Sequence, residues 1–385
     1  VTAARVAASA RRFLPALFYI GTALLLGWIA GGQMAFGRID AALAIPLLMP
    51  GALWLAWAVR DERGVVRLSI IFAALLGLTM IQFVLHHLVG HQIGGIQLLA
   101  TAALGVLSCA LAVLAMRVTR SWHAAWRWAT MLPVVMLWFV AGQAVIGIGS
   151  TAPAKKISPK LAILTGLPLR WQGDDLAAML ASGPSDAPAL AALRQRFDFE
   201  LVDSVAQLPD GALLFIAHPR ALAPEELVRI DALTAQPRTI VILADALSSW
   251  EPPYALGDPR NPPVTSLLTP LLDHWGVTLA APDPARAGDV DVFIDPAGQK
   301  LRLHSAGRFT RLPAQCATWG DRRVARCPIG KASVWLVGDA DLLHESLWQS
   351  PIPDAPWLAR SDNMKWLVSV MGGPGKALFE PIWIR

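Results

Sequence analysis

The sequence predicts an α-helical membrane domain followed by an α/β domain with a mostly parallel sheet and a β-rich C-terminal part. Three observations predict it. Five long apolar stretches occupy the first 150 residues, arginine concentrates in alternate gaps between them, and after residue 160 short apolar strands alternate with helices.

The apolar stretches run over 13–30, 41–59, 68–88, 96–116 and 128–148, and none contains Asp, Glu, Lys or Arg. Each approaches the about 20 helical residues that cross a hydrocarbon core. Arg5, Arg11 and Arg12 precede the first stretch. Arg60, Arg63 and Arg67 follow the second, and Arg117, Arg120 and Arg127 follow the fourth, while the other two gaps hold only Arg38 and histidine. The positive-inside rule then puts the N-terminus in the cytoplasm and, after five spans, the rest of the chain on the opposite side, the periplasm if the membrane is a bacterial inner membrane. Trp28, Trp54, Trp57, Trp122, Trp126, Trp128 and Trp138 fall in or near span ends, where an indole keeps its N–H wet. Arg11-Arg12 before an apolar run resembles a secretory signal, but the run is long, lacks an A-x-A cleavage site and precedes four more spans, so a retained helix is expected.

A formal charge of +5 in a chain that is 55% hydrophobic comes largely from arginines beside the spans. It points to phospholipid headgroups as partners and away from nucleic acid. The expected organisation is a five-helix transmembrane domain over 1–150, a linker over 151–160 marked by Pro153 and Pro159, an α/β domain over 161–280 and its β-rich continuation over 281–385.

Within the second domain, strands are expected over 161–167, 199–202, 212–217 and 239–244, with helices around Leu176–Leu180, 190–197 and 223–235. Glu225 and Glu226 suit the positive end of the last helix. A fully apolar strand such as 239–244 belongs at the centre of a parallel sheet, and the alternation points to a doubly wound sheet of flavodoxin or amidotransferase-like shape. After Gly276, short strands dominate, either extending the same sheet or forming a subdomain; a helix near 363–371 and a tail over 379–385 close the chain.

Cys109 lies within the fourth stretch and reads as a packing residue. Cys316 and Cys327 flank a Gly320-Asp321 turn able to bring the thiols face to face, and an oxidising compartment favours a disulfide there.

The segment 214–231, with Pro224-Glu225-Glu226-Leu227 opening a helix, the strand 239–245 ending at Asp245, and 266–277 leading to Trp275-Gly276-Val277 together resemble the periplasmic domain of GldG-type proteins. These are auxiliary subunits of gliding-motility-type and other ABC transport systems. Segment 329–343 and residues 361–367 are similar to the last strand and helix of the related amidotransferase-like domains. The resemblance covers about 160–370 and departs from the family in the five preceding spans. It implies membrane subunits as partners, among them an ABC permease, and with no G-x-x-x-x-G-K-[ST] in the chain any ATPase is a separate protein.

Amidotransferase chemistry needs a nucleophile on a strand-to-helix turn with a histidine base. Residues 244–249 hold no cysteine and no G-x-S-x-G elbow, so Ser248, His218 and Asp245 are weak candidates for a hydrolase and no catalytic residue is expected. Asp245 instead ends a strand at the sheet edge where open α/β folds bind ligands. The proline-rich loop 248–263 leaves from there carrying Trp250 and Tyr254, so Asp245, Ser248, Trp250 and Tyr254 are the expected partner- or ligand-binding residues, beside the reading of a packed surface loop. His86, His87 and His91 offer the competing signal. His87 and His91 share a face if their helix continues, which suits a metal or haem ligand and a membrane redox protein; three ordinary histidines at a helix end are the alternative, and no cofactor is expected. The leading expectation is a non-enzymatic membrane subunit of an envelope transport or assembly complex.

Overall fold

The computed structural model describes residues 11–90, 94–151, 157–171, 185–208, 211–252, 254–255, 257–353, 355–373 and 377–384. The chain divides into two compact units: Val1–Pro153 with Ile352–Leu358 and Lys376–Arg385, and Ala154–Pro351 with Ala359–Gly375.

The first unit contains α1 (Leu14–Ile29), a 3-10 stretch Ala41–Leu47 running into α2 (Leu48–Ala58), then α3 (Gly64–Leu88), α4 (Gly95–Val118) and α5 (Ala124–Ser150). Among the described residues, four helices are long and apolar enough to cross a membrane: Ala41–Ala58, Gly64–Leu88, Gly95–Val118 and Ala125–Ser150. The expected first span forms a shorter apolar helix of 16 residues, about 24 Å against a hydrocarbon core of about 30 Å. The outward faces of α3, α4 and α5 stay apolar, with Phe72, Leu99 and Leu137 all strongly exposed. Such surface suits lipid and not water.

Ala41–Ala58 is the most enclosed of the four. Pro46 has no N–H to donate, and this part of the span takes the tighter 3-10 form. A side chain at Gly142 would come within 2.8 Å of the Pro46 backbone, so α5 approaches this stretch only because glycine stands there. Trp138 turns inward and donates its indole N–H to the Ile45 carbonyl at 2.8 Å, which departs from an interface role.

The extreme C-terminal segment belongs to this helical unit. Phe379 N donates to Gly149 O, Ile39 N to Ile382 O and Ile384 N to Gly37 O, at 2.8–3.0 Å. Ile382 N donates to Asp40 Oδ1 at 2.9 Å, and Asp40 Oδ2 lies 2.7 Å from Arg38 Nε in a buried ion pair. Arg38 also donates to the Trp357 carbonyl and lies over the Trp383 ring. Arg38, the one arginine in the poorly basic gaps, is thus neutralised inside the fold.

The second unit holds β1 (Ile157–Thr165), β2 (Arg170–Trp171), β3 (Ser185–Asp186), α6 (Pro188–Arg194), β4 (Phe197–Leu201), β5 (Leu213–Ala217), α7 (Pro224–Leu233), β6 (Thr239–Leu243), α8 (Thr269–His274), β7 (Thr278–Ala280), β8 (Val290–Ile294), β9 (Lys300–His304), β10 (Arg308–Arg311), β11 (Ala317–Trp319), β12 (Val324–Ile329), β13 (Ala332–Val337) and α9 (Asn363–Val370). Seven strands form one sheet in the order β11-β12-β13-β6-β5-β1-β4. The pairs β4-β1, β1-β5, β5-β6 and β6-β13 are parallel, and β12 and β11 add an antiparallel edge. The chain is therefore an apolar helical region followed by an α/β domain with a mostly parallel sheet.

Alternate residues of the central strands face two cores, as period-2 side chains must. Ile163, Phe215, Val241 and Leu243 pack with Leu190 of α6 and Trp366 of α9. Leu164, Ile216, Ile240 and Ile242 pack with Ile230 of α7 and Leu271 of α8. Both choices left open for the C-terminal half occur: β11 to β13 extend the main sheet, whereas β7-β10 and β8-β9 are separate two-stranded ribbons.

One boundary differs from expectation. β1 starts at Ile157 inside the expected linker, and its register on β4 shifts between Ile157 and Leu161, where Pro159 has no N–H for the ladder. The helix expected around Leu176, Met179 and Leu180 lies outside the described residues.

Candidate functional site

The carboxyl ends of β5, β6 and β13 lie side by side, and each is followed by an ionisable residue buried at the sheet edge. His218 follows β5, Asp245 follows β6, and Asp339 and Asp341 follow β13. The ladder carries these residues past the strands, with His218 N donating to Leu243 O at 3.0 Å and Ala244 N to Val337 O at 2.7 Å. Gly338 lets this edge close: a Cβ there would meet Gly307 O at 2.3 Å.

One carboxylate oxygen from each of Asp245, Asp339 and Asp341 lies within 4.8 Å of the other two. All three residues are buried. Backbone donors orient them. Leu247 N donates to Asp245 Oδ1 at 3.0 Å, Asp341 N to Asp339 Oδ1 at 2.7 Å and His304 N to Asp339 Oδ2 at 2.8 Å. Asp341 accepts from Ser249 N and from Ser249 Oγ, the latter at 2.5 Å, and its Oδ2 lies 3.0 Å from His304 Nδ1. His304 is a quarter exposed and Ser249 is exposed, so the cluster has a solvent side. No Lys or Arg forms an ion pair with the three carboxylates among the described residues.

The electrostatics follow. Burial, then the neighbouring Asp341, pushes the Asp245 carboxyl up to about 7. Burial and then the charges of Asp245 and Asp341 raise Asp339 well above the usual carboxylate range. His218 Nε2 lies 2.6 Å from the Pro263 carbonyl. A carbonyl only accepts, so Nε2 carries the proton and Nδ1 presents a bare lone pair. That Nδ1 is buried without a hydrogen-bond partner. Burial lowers the His218 pKa, opposed by its bond to Pro263 and by the Asp341 charge, so a neutral ring is favoured. His218 and Ser305, beside this edge, hold φ of 47° and 50°, the left-handed region that non-glycine residues enter at a cost.

The sequence-derived candidates divide. Asp245 is in the cluster. Ser248 is at its margin and accepts weakly from Trp250 N at 3.4 Å; among the described residues no hydrogen bond joins it to a histidine. Trp250 packs on the core and meets His344 edge-on at 5.3 Å. Tyr254 is covered by the Arg260 guanidinium at 3.8 Å, and Asn261 ties its backbone at both ends. The loop thus returns on itself, with Ser248 N bonded to Val264 O and Ser266 N to Asp245 O. Asp339, Asp341 and His304 escaped the sequence reading, although Gly338-Asp339-Ala340-Asp341 directly after an apolar strand was a usable signal.

Cys316 and Cys327 form a disulfide with Cα atoms 4.3 Å apart. The β11-β12 register places them opposite each other, and the turn passes through Gly320, Asp321 and Arg322, all at positive φ. The histidine set separates. α3 ends at Leu88, one residue after His87, and His91, the other half of the expected pair, lies outside the described residues. His87 is exposed and stacks on Phe83, whereas His86 is buried.

No protein-family model matches this chain, and no curated protein matches it significantly. Among solved structures, the exo-beta-1,4-mannosidase Op5Man5 from Opitutaceae bacterium strain TAV5 is similar over 64% of this chain and 39% of its own, at 12% identity and a TM-score of 0.32. The chain thus spans about two fifths of that protein's length, and a likeness at this level carries no argument about fold or activity.

Proposed function

We propose that this chain is an integral-membrane subunit of an envelope transport or assembly complex, and that its α/β domain recognises a partner or ligand at the carboxyl edge of the parallel sheet. The observation that carries the reading is one chain joining four apolar helices of spanning length to an α/β domain whose buried polar groups converge at that edge. Open α/β sheets bind ligands there. Numbered along the chain, the parallel strands run 2-1-3-4-5, the order of flavodoxin-like doubly wound sheets, which supports the expected flavodoxin or amidotransferase-like shape. The GldG-like segments supply the class of complex: a permease and a separate ATPase are the proposed partners.

The proposed orientation has α1 as a fifth span, the N-terminus in the cytoplasm and the α/β domain in the periplasm. Two observations support it. The burial of Arg38 against Asp40 leaves the solvent-accessible arginines of the helical region at the other end of the helices. The Cys316–Cys327 disulfide suits an oxidising compartment. Among the described residues Ser248 has no hydrogen-bonded histidine, and α3 ends one residue after His87, so neither the hydrolase nor the redox reading gains support from them.

The test has two parts. A cysteine placed at exposed Glu251 is expected to react with a membrane-impermeant thiol reagent added to intact cells, and its protection overturns the orientation. Mild detergent extraction is expected to bring down a permease and an ATPase with the full chain and to lose them when residues 161–373 are deleted. Undiminished co-purification overturns the recognition role.

A further inference from the structure

We propose that Asp245, Asp339 and Asp341 hold one hard divalent cation of the Mg2+, Mn2+ or Ca2+ class, with His218 Nδ1 as a neutral acceptor beside them and His304 orienting Asp341. The inference concerns the edge at which recognition is proposed, yet it stands on the carboxylates alone.

Geometry comes first. Oxygens bound to one cation at about 2.1–2.4 Å are roughly 3–4.8 Å from each other. The three carboxylate oxygens lie within 4.8 Å of one another, so a single ion spans them without rearrangement of the strands. The carboxylates are also held as ligands usually are, each by donors outside the prospective coordination sphere. Leu247 N fixes Asp245, the backbone N–H groups of His304 and Asp341 fix Asp339, and Ser249 with the His304 ring fixes Asp341.

Charge and unmet bonding come second. Three buried carboxylates face one partly exposed imidazole as the ion-pair partner among the described residues. Like charges so close are tolerated only with protons or a cation between them. Two buried acceptors lack a hydrogen-bond partner, Asp245 Oδ2 and His218 Nδ1. His218 is committed by its bond to Pro263 to the tautomer with Nδ1 bare, and its ring feels the Asp341 charge. A proton shared between two carboxylates leaves the charge of the third uncompensated. A cation at the centre serves all three carboxylates. Oxygen donors in the majority favour a hard ion over a thiolate-seeking one.

The experiment uses the full chain in detergent micelles, stripped with chelator and titrated with Mn2+ while free Mn2+ is followed by electron paramagnetic resonance. One Mn2+ per chain is expected, displaced by excess Mg2+ or Ca2+, and Asp245→Asn or Asp339→Asn is expected to weaken binding by about tenfold or more. No binding at millimolar Mn2+, or equal affinity in both variants, overturns the site. Should a variant fail to fold, the wild-type chain decides: bound Mn2+ released on acidification supports the site, and free Mn2+ throughout overturns it. A protein that binds no cation but still co-purifies with its partners overturns this inference and leaves the recognition role intact.

Discussion

In the helical unit the buried carboxylate of Asp40 lies 2.7 Å from Arg38 and accepts the Ile382 N–H, whereas among the buried carboxylates of Asp245, Asp339 and Asp341 only Asp341 has an ion-pair partner among the described residues, the His304 imidazole, and Asp245 Oδ2 is unmet. The first arrangement pairs a buried carboxylate with a buried guanidinium and ties the C-terminal segment to the loop before Ala41. The second keeps a concentrated negative site at an edge where strands end. Complete pairing is what a structural ion pair needs, because an uncompensated buried charge is costly. An incompletely paired cluster is the arrangement from which binding free energy can be drawn. Asp40 thus serves the fold, whereas Asp245, Asp339 and Asp341 form the proposed cation site.

Breaking the paired side has the largest expected effect. Asp40→Ala leaves Arg38 buried and unpaired and is expected to cost about 3–5 kcal/mol, read as a lowered melting temperature of the detergent-solubilised protein. Replacing Arg38 and Asp40 together with apolar residues is expected to cost less than Asp40→Ala alone. Reduction of Cys316–Cys327 comes next. The bond closes a short loop, and its loss is expected to cost about 3 kcal/mol in denaturant titrations with and without reductant.

Removing one charge from the unpaired side reverses the sign. Asp245 has a folded pKa near 7, above the ordinary 3.8, so the fold favours its protonated form. Its contribution to stability is present below about pH 4 and is lost as pH rises through about 7. Chelator-treated protein is therefore expected to lose stability across that window. Asp245→Asn, whose amide oxygen keeps the Leu247 bond and whose NH2 replaces the unpartnered Oδ2, is expected to flatten the slope and raise stability at neutral pH by roughly 2 kcal/mol, measured by thermal melts over pH. The smallest effect is at Tyr254. Tyr254→Ala loses the Arg260 contact and is expected to cost about 0.5–1 kcal/mol in melting while leaving Mn2+ binding unchanged.

Much of the fold was legible because its signals are local. The apolar runs were readable as helices by length, and four of them reach spanning length; the first falls short because Gly31 and Gly32 follow the helix end at Ile29. The strands 213–217 and 239–243 were readable as buried on both faces. Cys316 and Cys327 were readable as a pair because a turn of a few residues decides their register. The candidate site was legible only at Asp245 and His218, with Ser248 at its margin. Trp250 and Tyr254 looked like contact residues from composition, but the core and Arg260 engage them, and no local rule distinguishes an aromatic that packs from one that binds.

The sequence by itself determined which segments are apolar helices, which are strands and where the basic gaps fall, because hydrophobic period and charge are properties of neighbouring residues. The tertiary structure alone decided that β13 lies beside β6, bringing Asp339 and Asp341 to Asp245, and that the last residues return to Arg38 and Asp40. Those meetings join groups far apart in the chain, and strand order and the packing of whole elements, not any local pattern, bring them together.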